Sequence, residues 1–181
     1  MRREPVFTLF TLFTLPNLVS MSRFAMAVAF LATPMPDARV ALIGAASLSD
    51  VLDGWIARRR HEVTRIGAIL DPIADRTFML TAVAVFLATG RITRPQYFVL
   101  LARDIMTAVG FLVAKSVSWL RAVPFRARWA GKLVTTLQLL ALITVLVAPR
   151  EAPWVIGAVG VASVIAISDY TLALWHARET A

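Results

Sequence analysis

Six apolar stretches of about 17 to 25 residues, each closed by a short charged or Pro/Gly-containing break, dominate this chain, and a hydrocarbon core of roughly 30 Å demands that length of a helix. In lipid every backbone polar group has to be paired within its own segment. Such stretches therefore fold as helices and leave little sequence for other structure. Spans are expected at about residues 17–34, 39–57, 67–89, 96–119, 130–148 and 153–175. Composition agrees: the 181 residues are 59% hydrophobic and 17% charged, whereas a soluble domain is about half apolar and a quarter charged. The expected fold is all-α, a polytopic integral membrane protein with six transmembrane helices.

Ahead of the first span, Arg2 and Arg3 precede a triplet repeat, Phe7-Thr8-Leu9, Phe10-Thr11-Leu12, Phe13-Thr14-Leu15, closed by Pro16. This stretch is too short to cross a bilayer and reads as an interfacial helix. A cleaved signal peptide would place Arg23 inside its apolar region and is disfavoured. The chain thus divides into an N-terminal segment, 1–16, and a six-helix membrane domain, 17–181. If the N-terminus is cytoplasmic, twelve Lys and Arg, among them Arg58, Arg59, Arg60, Arg65, Arg126, Arg128 and Lys132, lie inside against four outside, namely Arg39, Arg91, Arg94 and Arg150. That bias places both termini on the cytoplasmic side. The net charge of +8 then reflects loop bias and attraction to anionic headgroups of the lipid bilayer, with no nucleic acid as partner. The chain has no cysteine, so any metal would be held by oxygen or His.

Carboxylates of a membrane protein belong in loops, yet Asp50, Asp53, Asp71 and Asp75 lie within the cytoplasmic ends of the second and third apolar stretches. Asp50 and Asp53 are three apart and Asp71 and Asp75 four apart, so each pair shares a helix face. The two helices are antiparallel and joined by a short stretch, which brings all four carboxylates to one depth. Four uncompensated negative charges in a poorly polar setting do not stay ionised together. Either protons or cations bind among them, and all-oxygen ligation favours Mg²⁺ or Mn²⁺. The plainer alternative has the aspartates capping helix ends and pairing with Arg58, Arg59, Arg60 and Arg65. The complete spacing is more specific than the charges: Asp50, two residues, Asp53-Gly54, two residues, Ala57-Arg58, eight residues, Gly67, three residues, Asp71, three residues, Asp75. Eight fixed positions at ordinary residue usage agree by chance at a given start less than about once in 10⁸.

This spacing resembles the signature of the CDP-alcohol phosphatidyltransferase family at every fixed position. The resemblance implies six helices around the motif, a homodimer, and transfer of a phosphatidyl group from CDP-diacylglycerol to an alcohol with release of CMP. It further implies two divalent cations, with Asp50, Asp53 and Asp71 as metal ligands and Asp75 as ligand and proton acceptor. Gly54, Arg58 and Thr64 would contact the CDP moiety. The chemistry of the residues fits. Two divalent ions can bridge a pyrophosphate, a carboxylate crowded by like charges suits a general base, and Gly54 and Gly67 remove side chains where a nucleotide must approach.

The acceptor is less sharply written. Pro16-Asn17, Ser20 and Arg23 resemble the N-terminal segment of bacterial glycerophosphate-accepting members and cardiolipin synthases, which nominates Asn17 for substrate binding. Arg23 either snorkels or faces a phosphate or the acidic site. Gly131-Lys132, Thr135 and Gln138 resemble another segment of the same subfamilies. Arg103 and Asp104 are adjacent in the fourth span; neighbouring helical residues do not face each other, so they are not expected to neutralise one another. Glycerophosphate-accepting members usually carry Arg-Glu here and a second Arg where this chain has Phe111. The Arg-Asp form without that Arg resembles cardiolipin synthases, which favours phosphatidylglycerol over glycerol 3-phosphate as acceptor, with Arg103 and Lys132 as candidate binding residues. A divalent-cation transporter or channel is disfavoured, because the acids cluster at one depth without marking a route across the membrane. A bacterial inner membrane, with the active site on its cytoplasmic side, is the expected location.

Overall fold

The computed structural model describes residues 15–60, 67–116 and 129–179, with side chains over 18–52, 59, 73–110 and 129–172. Among the described residues the structure is six helices and no strand: α1 Leu15–Ala32, α2 Pro36–Arg60, α3 Gly67–Ala88, α4 Arg94–Ser116, α5 Trp129–Val147 and α6 Ala152–Glu179. Each coincides with an expected span to within a few residues. The triplet repeat before Leu15 and Thr64 between α2 and α3 lie outside the described residues. The chain forms two compact units, Met1–Val85 and Phe86–Ala181.

In the first unit α1 packs along α2. The buried stripe of α1 runs Ser20, Arg23, Ala27, Phe30, the spacing of one helix face, and that of α2 runs Arg39, Ile43, Ala46, Ser49. Toward the start of α1 its stripe changes from apolar to polar, and α2 does the same toward its C-terminal half. Phe30 meets Phe78 of α3 edge to face, with ring centroids 5.8 Å apart. At the opposite end Arg39 closes the turn between α1 and α2. Its Nε donates to the Thr33 carbonyl (2.8 Å) and its guanidinium lies 5.1 Å over the Phe30 ring.

The end of α3 is written by Gly90, whose φ of +68° is left-handed. Gly90 N–H donates to the Leu87 carbonyl (3.1 Å) and Arg91 N–H to the Phe86 carbonyl (2.9 Å), the paired bonds of a Schellman cap. A Cβ on residue 90 would meet nothing within 4 Å, so the strain of Gly90→Ala lies in the backbone alone. The substitution should cost about 1 kcal/mol and lower the midpoint of thermal unfolding by roughly 2–4 °C, with Gly90→Asn milder. A Gly90→Ala protein melting with the parent would show that the cap carries no strain. Beyond the turn, Thr93 N–H and hydroxyl both donate to Gln96 Oε1 (2.8 and 3.1 Å), so the glutamine side chain reaches back to the residue that starts α4, one half of a capping box.

In the second unit α6 packs on both α5 and α4. The buried face of α5 is Ala130, Gly131, Val134, Gln138, Ala141, Leu142, Val145 and Leu146, and that of α6 includes Ile156, Val159, Ala162, Ser163 and Ala166. The other faces carry large exposed apolar side chains, among them Phe98, Val109, Trp154, Val161, Ile165 and Leu172. Water would disfavour such a surface, whereas lipid accepts it. Among the described residues two helices are long and apolar enough to cross a bilayer, α5 and residues 152–172 of α6. At 25, 22 and 23 residues, α2, α3 and α4 have the length.

Candidate active site

Arg23 is the fixed point of the first unit's polar end. Its side chain is 1% exposed, although an arginine is among the residues least often buried. Its Nη1 lies 3.1 Å from Asp50 Oδ1 on α2 and 3.9 Å from Asp75 Oδ1 on α3. Two carboxylates from separate helices thus converge on one nitrogen. The acids themselves are open, at 55% and 50% side-chain exposure, so the buried cation supports them from behind while their outer faces remain available to a ligand. The alternatives for Arg23 are thereby resolved in favour of the acidic site.

The helical backbone sets Asp53 one turn beyond Asp50 on α2, and Asp71 one turn before Asp75 on α3. The side chains of Asp53 and Asp71, like those of Asn17, Gly54, Arg58 and Gly67, fall outside the described residues. Among the described residues no group of three or more His, Cys, Asp or Glu stands together. The donor set in view nevertheless fits a hard divalent cation: two carboxylates, all oxygen, drawn together from two helices and open to solvent.

The second unit holds the other polar constellation. Contrary to expectation, Arg103 and Asp104 pair with each other, Arg103 Nη1 donating to Asp104 Oδ1 at 3.0 Å. Their Cβ vectors diverge as helix geometry requires, but the long arginine stem swings its guanidinium round to the neighbouring carboxylate, which an argument from Cβ direction alone does not foresee. Asp104 Oδ2 accepts from Gln138 Nε2 of α5 (2.9 Å), which also donates to the Leu100 carbonyl (2.6 Å). Gln138 is 2% exposed. Lys132, by contrast, is exposed on α5. Gln138 stood in the sequence only as part of a shared segment, and Tyr170, which comes close to Gly131, not at all. For Gln138 the available signal was an amide inside an otherwise apolar helix.

Comparison with known proteins places the chain in a family. Residues 13–174 match the family described as CDP-alcohol phosphatidyltransferase. A Mycobacterium tuberculosis protein named "Putative cardiolipin synthase" is 35% identical over 157 residues, covering 83% of this chain and 73% of that protein. The CDP-diacylglycerol–glycerol-3-phosphate 3-phosphatidyltransferase of Escherichia coli is 31% identical over 148 residues, covering 80% of this chain and 79% of that enzyme. The paired aspartates on α2 and α3, the signature they stand in and relatives that extend over most of both chains lead to one conclusion: this chain belongs to the CDP-alcohol phosphatidyltransferase family and is an enzyme of phospholipid biosynthesis.

Proposed function

We propose that the chain transfers a phosphatidyl group from CDP-diacylglycerol to a free hydroxyl of phosphatidylglycerol, forming cardiolipin and releasing CMP. The observation that carries the transfer reading is the convergence of Asp50 and Asp75 on the buried Arg23 guanidinium, with both carboxylates open outward. In this reading Asp50, Asp53, Asp71 and Asp75 hold two divalent cations, Mg²⁺ or Mn²⁺, and the chemistry those ions supply when bound is neutralisation of charge on the pyrophosphate and on the departing CMP. Asp75 takes the proton of the acceptor hydroxyl as its oxygen bonds to the β-phosphorus of CDP-diacylglycerol, and the bond from that phosphorus to the CMP oxygen breaks. Gly54, Arg58, Thr64 and Gly67 contact the CDP moiety and Asn17 lines the same site. Six spans, a homodimer, and a cytoplasmic active site in a bacterial inner membrane complete the proposal.

The choice of acceptor follows from the pairing in the second unit. A guanidinium already neutralised by an adjacent carboxylate 3.0 Å away presents a weak field to a phosphomonoester dianion but can still donate to a hydroxyl or phosphodiester oxygen. That favours phosphatidylglycerol. Glycerol 3-phosphate is the second reading, favoured by the exposed Lys132 and by the name of the Escherichia coli relative. CMP release by the purified enzyme with CDP-diacylglycerol and Mn²⁺ decides between them. Turnover is expected with phosphatidylglycerol and at least about tenfold less with glycerol 3-phosphate, the factor that 1.4 kcal/mol of discrimination supplies. Release with glycerol 3-phosphate alone would overturn the acceptor assignment, and no release with either would overturn the transfer reading.

A further inference from the structure

We propose that Gln138, together with the gap left by Gly131, is a positioning device that fixes the Arg103 guanidinium and so sets how tightly the acceptor alcohol is held. The inference rests on the reading above that Arg103 meets the acceptor.

Four features of the second unit bear on one side chain. Gln138 has two N–H donors, and both are committed, one to the Leu100 carbonyl at 2.6 Å and one to Asp104 Oδ2 at 2.9 Å. The Leu100 carbonyl belongs to the backbone of α4, one turn before Asp104, so the amide is anchored to a rigid element and in turn anchors the carboxylate. The other oxygen of Asp104 receives Arg103 Nη1 at 3.0 Å. A chain of bonds therefore runs from the α4 backbone through Gln138 and Asp104 to the guanidinium.

The opposite edge of the guanidinium is fixed by shape. A Cβ added at Gly131 would stand 2.9 Å from Arg103 Nη2 and 2.9 Å from the Tyr170 hydroxyl oxygen, closer than real Cβ contacts come. Glycine at this position lets α5 approach both groups at once. Between these two restraints Arg103 Nε is buried and finds no hydrogen-bond partner among the described residues. A buried donor of a cation left in this state is costly, and an oxygen of an incoming ligand is the chemical complement it lacks. Asp104 and Arg103 remain 17% and 19% exposed at the side chain, so the constellation is not sealed off.

If Gln138 and Gly131 act by orienting Arg103, disturbing either should weaken acceptor binding and leave binding of the CDP-lipid alone. Gln138→Met keeps the length of the side chain in an apolar helix while removing both donors. The acceptor KM is expected to rise about tenfold with the KM for CDP-diacylglycerol little changed, while the melting midpoint falls because two acceptors lose a buried donor. Gly131→Ala reaches the same guanidinium from the other side without touching the amide, and should raise the same KM by a similar factor. In a double-mutant cycle the effect of Gln138→Met should vanish in an Asp104→Asn background, because the link it acts through is gone. A merely structural amide predicts instead equal changes in both KM values and additivity in the cycle, and that result would overturn the proposal. Arg103→Lys separates the two levels of the argument. If it leaves the acceptor KM unmoved, the acceptor reading itself fails. If it raises that KM while Gln138→Met and Gly131→Ala do not, the positioning proposal alone is lost.

Discussion

Replacing Asp75 by Asn is expected to lower kcat for CMP release by about 10²- to 10⁴-fold, the range in which removal of a general base falls. The fold should survive, because the side chain is half open to water and the amide oxygen can still face Arg23. Much of the CDP-lipid affinity should survive as well, since the nucleotide is assigned to other residues. Asp75 is also proposed as a metal ligand, so the variant has to be measured across a Mn²⁺ titration. A lost base leaves kcat low at saturating Mn²⁺, whereas weakened ligation alone shifts the titration to higher Mn²⁺ and lets kcat recover. A near-normal rate at ordinary Mn²⁺ would remove Asp75 from the role of base.

Arg23→Met should have the second largest effect, lowering kcat/KM by about 10²-fold, because one guanidinium spans a carboxylate on α2 and another on α3. Without it the two acids are no longer held at a common point, and a misplacement of about 1 Å in a catalytic constellation can cost that much. Stability should change far less. Both carboxylates are half exposed, so water takes up their lost bonds, and unfolding should become easier by only about 1 kcal/mol. Arg23→Lys keeps a positive charge but not the planar fork, and should recover part of the rate. Excess Mn²⁺ should not rescue the Met variant, since what is lost is the relative placement of two helices. A rate within twofold of the parent would show that Arg23 does no more than fill its site.

Both predictions concern residues at which sequence and structure contributed differently. The helices were legible because their signal is local: long apolar runs separated by breaks that contain Pro36 and Gly90. The pairing of aspartates by helical turn was legible for the same reason, since spacings of three and four residues have one geometric meaning on a helix. For Arg23 the sequence allowed two destinations, snorkelling to the surface or facing a charged group inside. The choice depends on what α2 and α3 bring to its side chain, 27 residues away in the case of Asp50.

The second unit shows where local reasoning goes astray. Adjacent positions on a helix point apart, yet Arg103 and Asp104 bond, because a flexible stem of three methylenes can turn the guanidinium through that angle when a neighbouring helix holds the carboxylate still. Gln138 and Tyr170 become informative only when α5 and α6 are set beside α4.

The sequence by itself determined the helical class, the positions of the helices, the aspartate spacing and the family, all of which are properties of local periodicity or of residue order. The tertiary structure decided which groups compensate which charges: Arg23 behind Asp50 and Asp75, and Gln138 behind Asp104 and Arg103. Electrostatic and hydrogen-bond partners are chosen by distances of a few ångströms between segments tens of residues apart, and no one-dimensional spacing encodes those distances.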